Sequence, residues 1–248
     1  MTSTGPEKIT IRAFRAVDDP ESCALYVREH TKVLEDIGVF SVIKPDLSWC
    51  TDPNVVVLVA EHSSLGMVAG IRLHKASFGC ELPMQRCMGA LDSSIAGCLA
   101  ELQPHGNAEI AGLWNAHRFA RRGLPMLLLE ACVSLGSQIG VRSMVTFIAE
   151  YVAPYAVKTG FVIMDSLKNG GVFIYPVPSI RTHAMVLPDV LTMAAAKQSD
   201  RHRILSLRLR PYQSRKECPK QMELEVSYEL LEPSPCTDEV AGRNLYAA

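Results

Sequence analysis

The sequence predicts a mixed α/β (α+β) fold, and three observations carry that reading. Apolar, β-branched runs alternate along the chain with segments whose apolar residues recur at helical spacing. Two of the runs, Asn54–Glu61 and Met67–His74, flank the turn Ser63-Ser64-Leu65-Gly66 and make an early hairpin, whereas later runs are joined through helices as in βαβ units. The chain has 248 residues, 48% apolar and 21% charged, which is enough for one large core and excludes a disordered chain, a collagen or a coiled coil.

Taken in order, Ile9–Ala16 places Ile9, Ile11 and Ala13 on one face of a strand. Asp18-Asp19-Pro20 then offers a cap and a Pro start for a helix carrying Cys23, Leu25, Tyr26, Val33 and Ile37, which Gly38 ends. After the hairpin, Pro83–Leu102 is helical by pattern, with Met84, Cys87, Leu91, Ile95 and Leu99 near one stripe. Met84, Met88, Leu91 and Ile95 read as core first and as the wall of an apolar tunnel second. Ala108–Trp114 is a strand, Met126–Ile139 a helix stopped by Gly140, and Arg142–Ala149 a strand. Ala153–Thr159 is a short helix, Phe161–Met164 a strand, and Gly170–Val177 the last strand of the main sheet.

Residues 1–180 therefore read as one domain and 181–248 as a C-terminal extension packed on it. In the extension Val190–Lys197 reads as a helix. Leu205, Leu207 and Leu209 alternate with polar residues, as do Met222, Leu224, Val226, Tyr228 and Leu230, so two strands joined by a basic loop over Pro211–Pro219 are expected. Lys and Arg dominate Lys197–Lys220 and acids dominate the residues after it, so the two blocks are expected to face each other across this hairpin.

Charge and cysteine usage narrow the function classes. Lys plus Arg is 25 and Asp plus Glu is 26, a net charge of −1, so no whole-protein basic field for nucleic acid exists. None of the eight cysteines forms a C-x-x-C pair, and several sit in apolar stretches, as reduced thiols of a cytoplasmic protein do. Met1–Lys8 is polar with no signal-like apolar region, and no apolar run approaches the roughly 20 residues of a membrane span. The histidines include no H-x-x-x-H or H-E-x-x-H pair, so no metal site is expected; P-loop and dinucleotide glycine patterns are missing too.

The chemistry concentrates in Ala108–Ile163, ordered as strand, basic glycine turn, helix, strand, short helix, strand. The turn Arg121-Arg122-Gly123 directly before a helix is an anion site: free N–H groups and the positive helix end face it, glycine permits close approach, and arginines add charged donors. Ala120–Pro125 falls on the pattern [QR]-x-x-G-x-[GA], and Lys158-Thr159-Gly160-Phe161 on a K-x-G-F corner at the matching distance.

On these motifs the chain resembles the GNAT superfamily of acyl-CoA-dependent N-acyltransferases over about Ile9–Val177. The resemblance implies a mixed, mostly antiparallel twisted sheet flanked by helices, with acetyl-CoA or a longer acyl-CoA as co-substrate. It departs from the family where Ala120 stands at the usual Arg or Gln, and where Pro125 replaces a Gly or Ala and removes an N–H donor. The helical insert Pro83–Leu102 and an early Glu in the family's fourth strand, here Glu109, are similar to autoinducer synthases and N-acyl amino acid synthases. Those relatives carry an Arg three residues after that Glu, where this chain has Gly112.

What the resemblance implies for the site follows residue by residue. Arg121, Arg122, Gly123, Leu124 and Met126 hold the CoA diphosphate. Backbone amides around Leu113, Trp114 and Asn115 polarise the thioester carbonyl; Trp114 is alternatively a core aromatic. The attacking amine must be neutral, and deprotonating one of pKa about 10.4 at pH 7 costs roughly 4.6 kcal/mol, so a base is required. Glu109 is the candidate base, and Tyr155, or Tyr151, the candidate acid for the leaving thiolate. The expected reaction moves an acyl group to a primary amine of a small molecule. The alternatives are a long-chain synthase taking its donor from acyl carrier protein, which the basic block after Lys197 suits, and a non-catalytic acyl-CoA-binding module. A homodimer is left open.

Overall fold

A computed structural model describes residues 6–43, 46–220 and 222–231. Its strands are β1 (Glu7–Arg15), β2 (Val55–His62), β3 (Gly66–Lys75), β4 (Asn107–Asn115), β5 (Ser143–Ala149), β6 (Val162–Ile163), β7 (Val172–Ile174), β8 (Arg181–Leu187), β9 (Tyr212–Glu217) and β10 (Leu224–Glu229). They form one sheet in the order β6-β8-β5-β4-β3-β2-β1-β10-β9, with β7 on the same edge of β8 as β6. Only β4–β5 and β1–β10 pair in parallel, so the sheet is mixed and mostly antiparallel, as expected.

The early hairpin shows why both faces need cover. Val55, Val57 and Val59 of β2 belong to one apolar cluster and Val56, Leu58 and Ala60 to another, so the strand is buried on both sides. Helix α1 (Pro20–Asp36), started by Asp19 accepting from the Ser22 amide, covers the first face. Gly70 of β3 lets it settle closely: a Cβ there would lie 2.5 Å from the Tyr26 ring. The insert forms α2 (Pro83–Met88) and α3 (Ser94–Leu102) rather than one helix, because Gly89 and Asp92 interrupt it, and Met84, Met88 and Ile95 are core. Leu91 is exposed.

On the opposite face lies α4 (Leu124–Leu135), with eleven of its residues buried. A helix apolar all round must be enclosed. The enclosure comes from the sheet on one side and from α6 (Gln198–Leu209) on the other. Here the extension differs from expectation. Leu205, Leu207 and Leu209 lie on α6, not a strand: Arg203, Ile204 and Leu207 share its inner face, and Leu209 is exposed. Over so few residues, spacings of two and of three or four are readily confused. Val190–Lys197 is a series of turns, opened by Asp189 accepting from the Leu191 and Thr192 amides, instead of a helix.

The hairpin is β9–β10, in which Glu225 stands opposite Lys216 and Lys216 reaches Glu223 at 3.3 Å. Pairing of β10 with β1 adds this hairpin to the main sheet. Strand β8 went unread in the sequence, yet it pairs with β5 over six residues, whereas β7 is a three-residue edge. The division expected at residue 180 therefore falls just before a strand inside the sheet. The last short helix, α5 (Ala153–Lys158), precedes Phe161 and β6 much as anticipated.

Candidate active site

Strands β4 and β5 pair only from Asn107–Ile110 to Ser143–Thr146, and the Thr146 hydroxyl donates to the Ile110 carbonyl at 2.8 Å. Beyond that point β4 has no partner on its β5 side. The departure has a local cause. Between the pairs Arg72↔Ala111 and Gly70↔Trp114, two residues of β4 oppose one of β3, a bulge in which Gly112 takes φ +62°. The two strands thus splay, and a cavity of about 500 Å³ opens between them, roofed by α1 and α2.

Glu109 lies in this cavity wall, opposite His74 in the β3–β4 register. Its carboxylate accepts the Met84 amide at 2.8 Å, the second residue of α2, so it also anchors the insert. The side chain is fully buried, and loss of hydration pushes its pKa up to about 8, against the opposing pull of the Met84 bond and of Arg72 and Arg86. Burial drives His30 down to about 3 and His74 well below its usual value, so both rings are neutral. Tyr26, high for the same reason, donates to the Gly112 carbonyl inside the bulge.

The other expected site residues divide. Leu113 and Tyr151 line the cavity. Trp114 faces α1, stacked on His30 in the aromatic cluster with Tyr26 and Trp49, as a core residue. Asn115 donates to the neighbouring Ala116 carbonyl. Tyr155 is not in the cavity wall; it packs on the α4 side, and the Lys220 ammonium sits 5.3 Å from its ring centre.

The basic turn also takes a more specific form than its sequence suggests. Gly123 is the left-handed N-cap of α4 at φ +78°, and Leu124 and Met126 are buried beneath it. Arg121 is exposed, but Arg122 makes a two-pronged ion pair with Glu7, at 2.6 and 2.9 Å, and lies over the Phe119 ring. The tip of the β9–β10 hairpin covers the turn: a Cβ on Gly123 would fall 2.6 Å from the Pro219 side chain. Both the positive φ and that contact set the outcome of Gly123→Ala. Chemical denaturation is expected to show a loss of about 1–3 kcal/mol.

Arg72 was not singled out in the sequence. An arginine flanked by apolar residues in a strand carries no signal until the facing strand is known. Among the described residues, no group of three or more His, Cys, Asp or Glu is placed to hold a metal ion, and no helix is long and apolar enough to cross a membrane.

No family model matches the chain, and no curated protein matches its sequence. Solved structures do resemble it. FeeM, an N-acyl amino acid synthase from uncultured soil microbes, superposes with a TM-score of 0.56 at 13% identity, over 79% of this chain and 98% of that one. The AHL synthase LasI gives 0.52 at 11% identity, covering 73% and 90%. BjaI, a CoA-dependent acyl-homoserine lactone synthase, gives 0.50 at 17%, covering 80% and 88%. The fold is thus the GNAT-like N-acyltransferase fold, and its structural neighbours are acyl-transferring enzymes.

Proposed function

We propose that the protein transfers an acyl group from a thioester donor, acyl-CoA in the first reading, to a primary amine of a small molecule. The observation that carries this is the bulge-driven splay of β4 from β5, which opens the cavity beside a buried, neutral-leaning Glu109. The amine nitrogen attacks the thioester carbonyl as the C–N bond forms and the C–S bond breaks. Glu109 takes the proton from nitrogen, directly or through one water, and the sulfur leaves as the thiol once protonated. Backbone amides of β4 beyond Ile110, where the strand has no partner on its β5 side, suit stabilisation of the carbonyl oxygen. Tyr151, exposed at the cavity mouth, is better placed than Tyr155 to supply the thiol proton.

A second reading concerns the donor. Pro219 on Gly123 and the Glu7–Arg122 pair narrow the diphosphate cradle, which favours a pantetheine arm borne on a carrier protein over free CoA. The test supplies acetyl-CoA, decanoyl-CoA and decanoyl carrier protein in separate reactions with a mixture of amines, and reads amide products by mass spectrometry. Amides from any donor support acyl transfer, and the best donor decides between the two readings. Binding of acyl-CoA without any amide would leave a non-catalytic binding module.

A further inference from the structure

The cavity wall contains a polar ring with nothing to bond. In the sheet register His74 stands between Val55 of β2 and Glu109 of β4, so the three side chains lie on one side of the sheet. Val55 belongs with Cys23 and Tyr26 of α1 to one apolar cluster, and His74 is only 6% exposed. His74 and Glu109 both line the cavity. The buried Nε2 of His74 has no hydrogen-bond partner among the described residues.

A ring nitrogen shut in beside Val55 costs free energy unless something bonds to it, and charging the ring would cost more. Burial, with Arg72 and Arg86 nearby, outweighs the pull of Asp46 and keeps the imidazole neutral. A neutral imidazole of this kind is a poor base, but it carries one N–H to donate. An acceptor bound at Nε2 selects the tautomer with its proton there. Because the ring stays neutral, it offers the same donor across the pH range in which Glu109 changes charge.

We propose that His74 donates this N–H to the carbonyl oxygen of the donor thioester, and is thereby a catalytic residue of the acyl transfer. The placement follows from Glu109. Residues directly opposite across antiparallel strands have Cβ atoms about 4.5–5.5 Å apart, so ring and carboxylate are neighbours. The Met84 amide holds one carboxylate oxygen and fixes the base. Glu109 takes the proton of the attacking nitrogen, and that nitrogen is joining the carbonyl carbon. The carbonyl oxygen therefore lies one carbon away from the atom that Glu109 serves. As the C–N bond forms, the C=O electron pair moves onto oxygen, and the hydrogen bond from His74 strengthens with that charge. It weakens again when C=O re-forms and the C–S bond breaks, and His74 keeps its proton throughout. This inference rests on the acyl-transfer reading for the reaction, but the contact with the carbonyl needs no turnover.

The test compares full-length His74→Phe, which keeps a ring without a donor, with His74→Gln, which restores an N–H. Decanoyl-CoA and decanoyl carrier protein, each labelled with 13C at the thioester carbonyl, serve as donors. Infrared difference spectra of the bound donor without amine read the carbonyl itself, and amide formation with a mixture of amines reads turnover. The bound carbonyl band is expected below that of free donor in the wild type, and back toward it in His74→Phe. His74→Phe lowers kcat about 100-fold with the donor KM changed by less than about threefold, and His74→Gln recovers at least about tenfold of the loss. The rise of kcat with pH that Glu109 sets persists in both variants. A band unmoved by His74→Phe, or equal losses in the two variants, would overturn the inference and leave acyl transfer standing. A His74-dependent band shift without any amide would uphold the contact and overturn acyl transfer. Neither a bound donor nor an amide would overturn both. If circular dichroism shows His74→Phe to be misfolded, His74→Leu serves as the variant without a donor.

Discussion

Glu109→Gln lowers kcat by about 100- to 1000-fold with little change in the donor KM, the range expected when a general base is removed. Glutamine keeps an oxygen that can accept the Met84 amide at the same place, so α2 stays anchored and the loss reports chemistry rather than collapse of the insert. The pH profile separates the two further. With its pKa pushed up to about 8, Glu109 is mostly protonated at pH 7, and only its ionised form accepts a proton. Wild-type kcat therefore rises with pH and levels off above about 8, while the variant loses this inflection. A wild-type rate in the variant removes Glu109 from the reaction.

The same shift has a consequence for stability, with the opposite sign to the usual carboxylate. The folded pKa lies above the unfolded value of about 4.3, so the folded chain holds this proton more tightly. The contribution is full below about pH 4 and is lost as pH rises toward 8. Glu109→Gln cannot ionise. Its stability relative to the wild type should improve between pH 5 and pH 9, measured by denaturant unfolding at each pH.

The largest effect on stability is expected from Arg203→Met, a loss of about 3–5 kcal/mol. Glu130 on α4 and Glu217 on β9 are both buried, and Arg203 of α6 bonds to each, with the Glu130 pair two-pronged. Tyr228 of β10 donates to Glu217 from the other side. Without the guanidinium Glu130 is left enclosed with no cation and Glu217 keeps only Arg215 at 3.9 Å, and burial already raises Glu130 despite its partner. The deficit of the variant should shrink as pH falls and Glu130, already raised by burial, takes up a proton. Adding Glu130→Gln to Arg203→Met should recover part of the loss. Equal unfolding midpoints for wild type and Arg203→Met would show the network to be incidental.

Much of the architecture was legible because it rests on local rules. The β-branched run of β2, the cap and proline of α1 and the mostly apolar segment of α4 each state their own conformation. Glu109 is a candidate base through its place on a strand in a resemblance, and the fold sets it in the cavity wall, where burial raises its proton affinity.

Other features have no local signature. The leucines of α6 fit two periods over so short a stretch, and only packing against α4 chose the helix. Strand β8 is polar at Arg181, Thr182 and His183 and is defined by its partner β5. Arg122 looked free to meet a phosphate until β1 brought Glu7 beside it, and Gly123 until the hairpin tip laid Pro219 upon it.

By itself the sequence determined the fold class, the order of the central elements and the strand that carries the candidate base. The tertiary structure alone decided where β4 leaves β5, which arginines line the cavity, and what encloses α4. The reason is physical: a conformation follows from neighbours along the chain, whereas a counter-charge, its absence, or a cover over a helix depends on residues as far apart as Glu7 and Arg122.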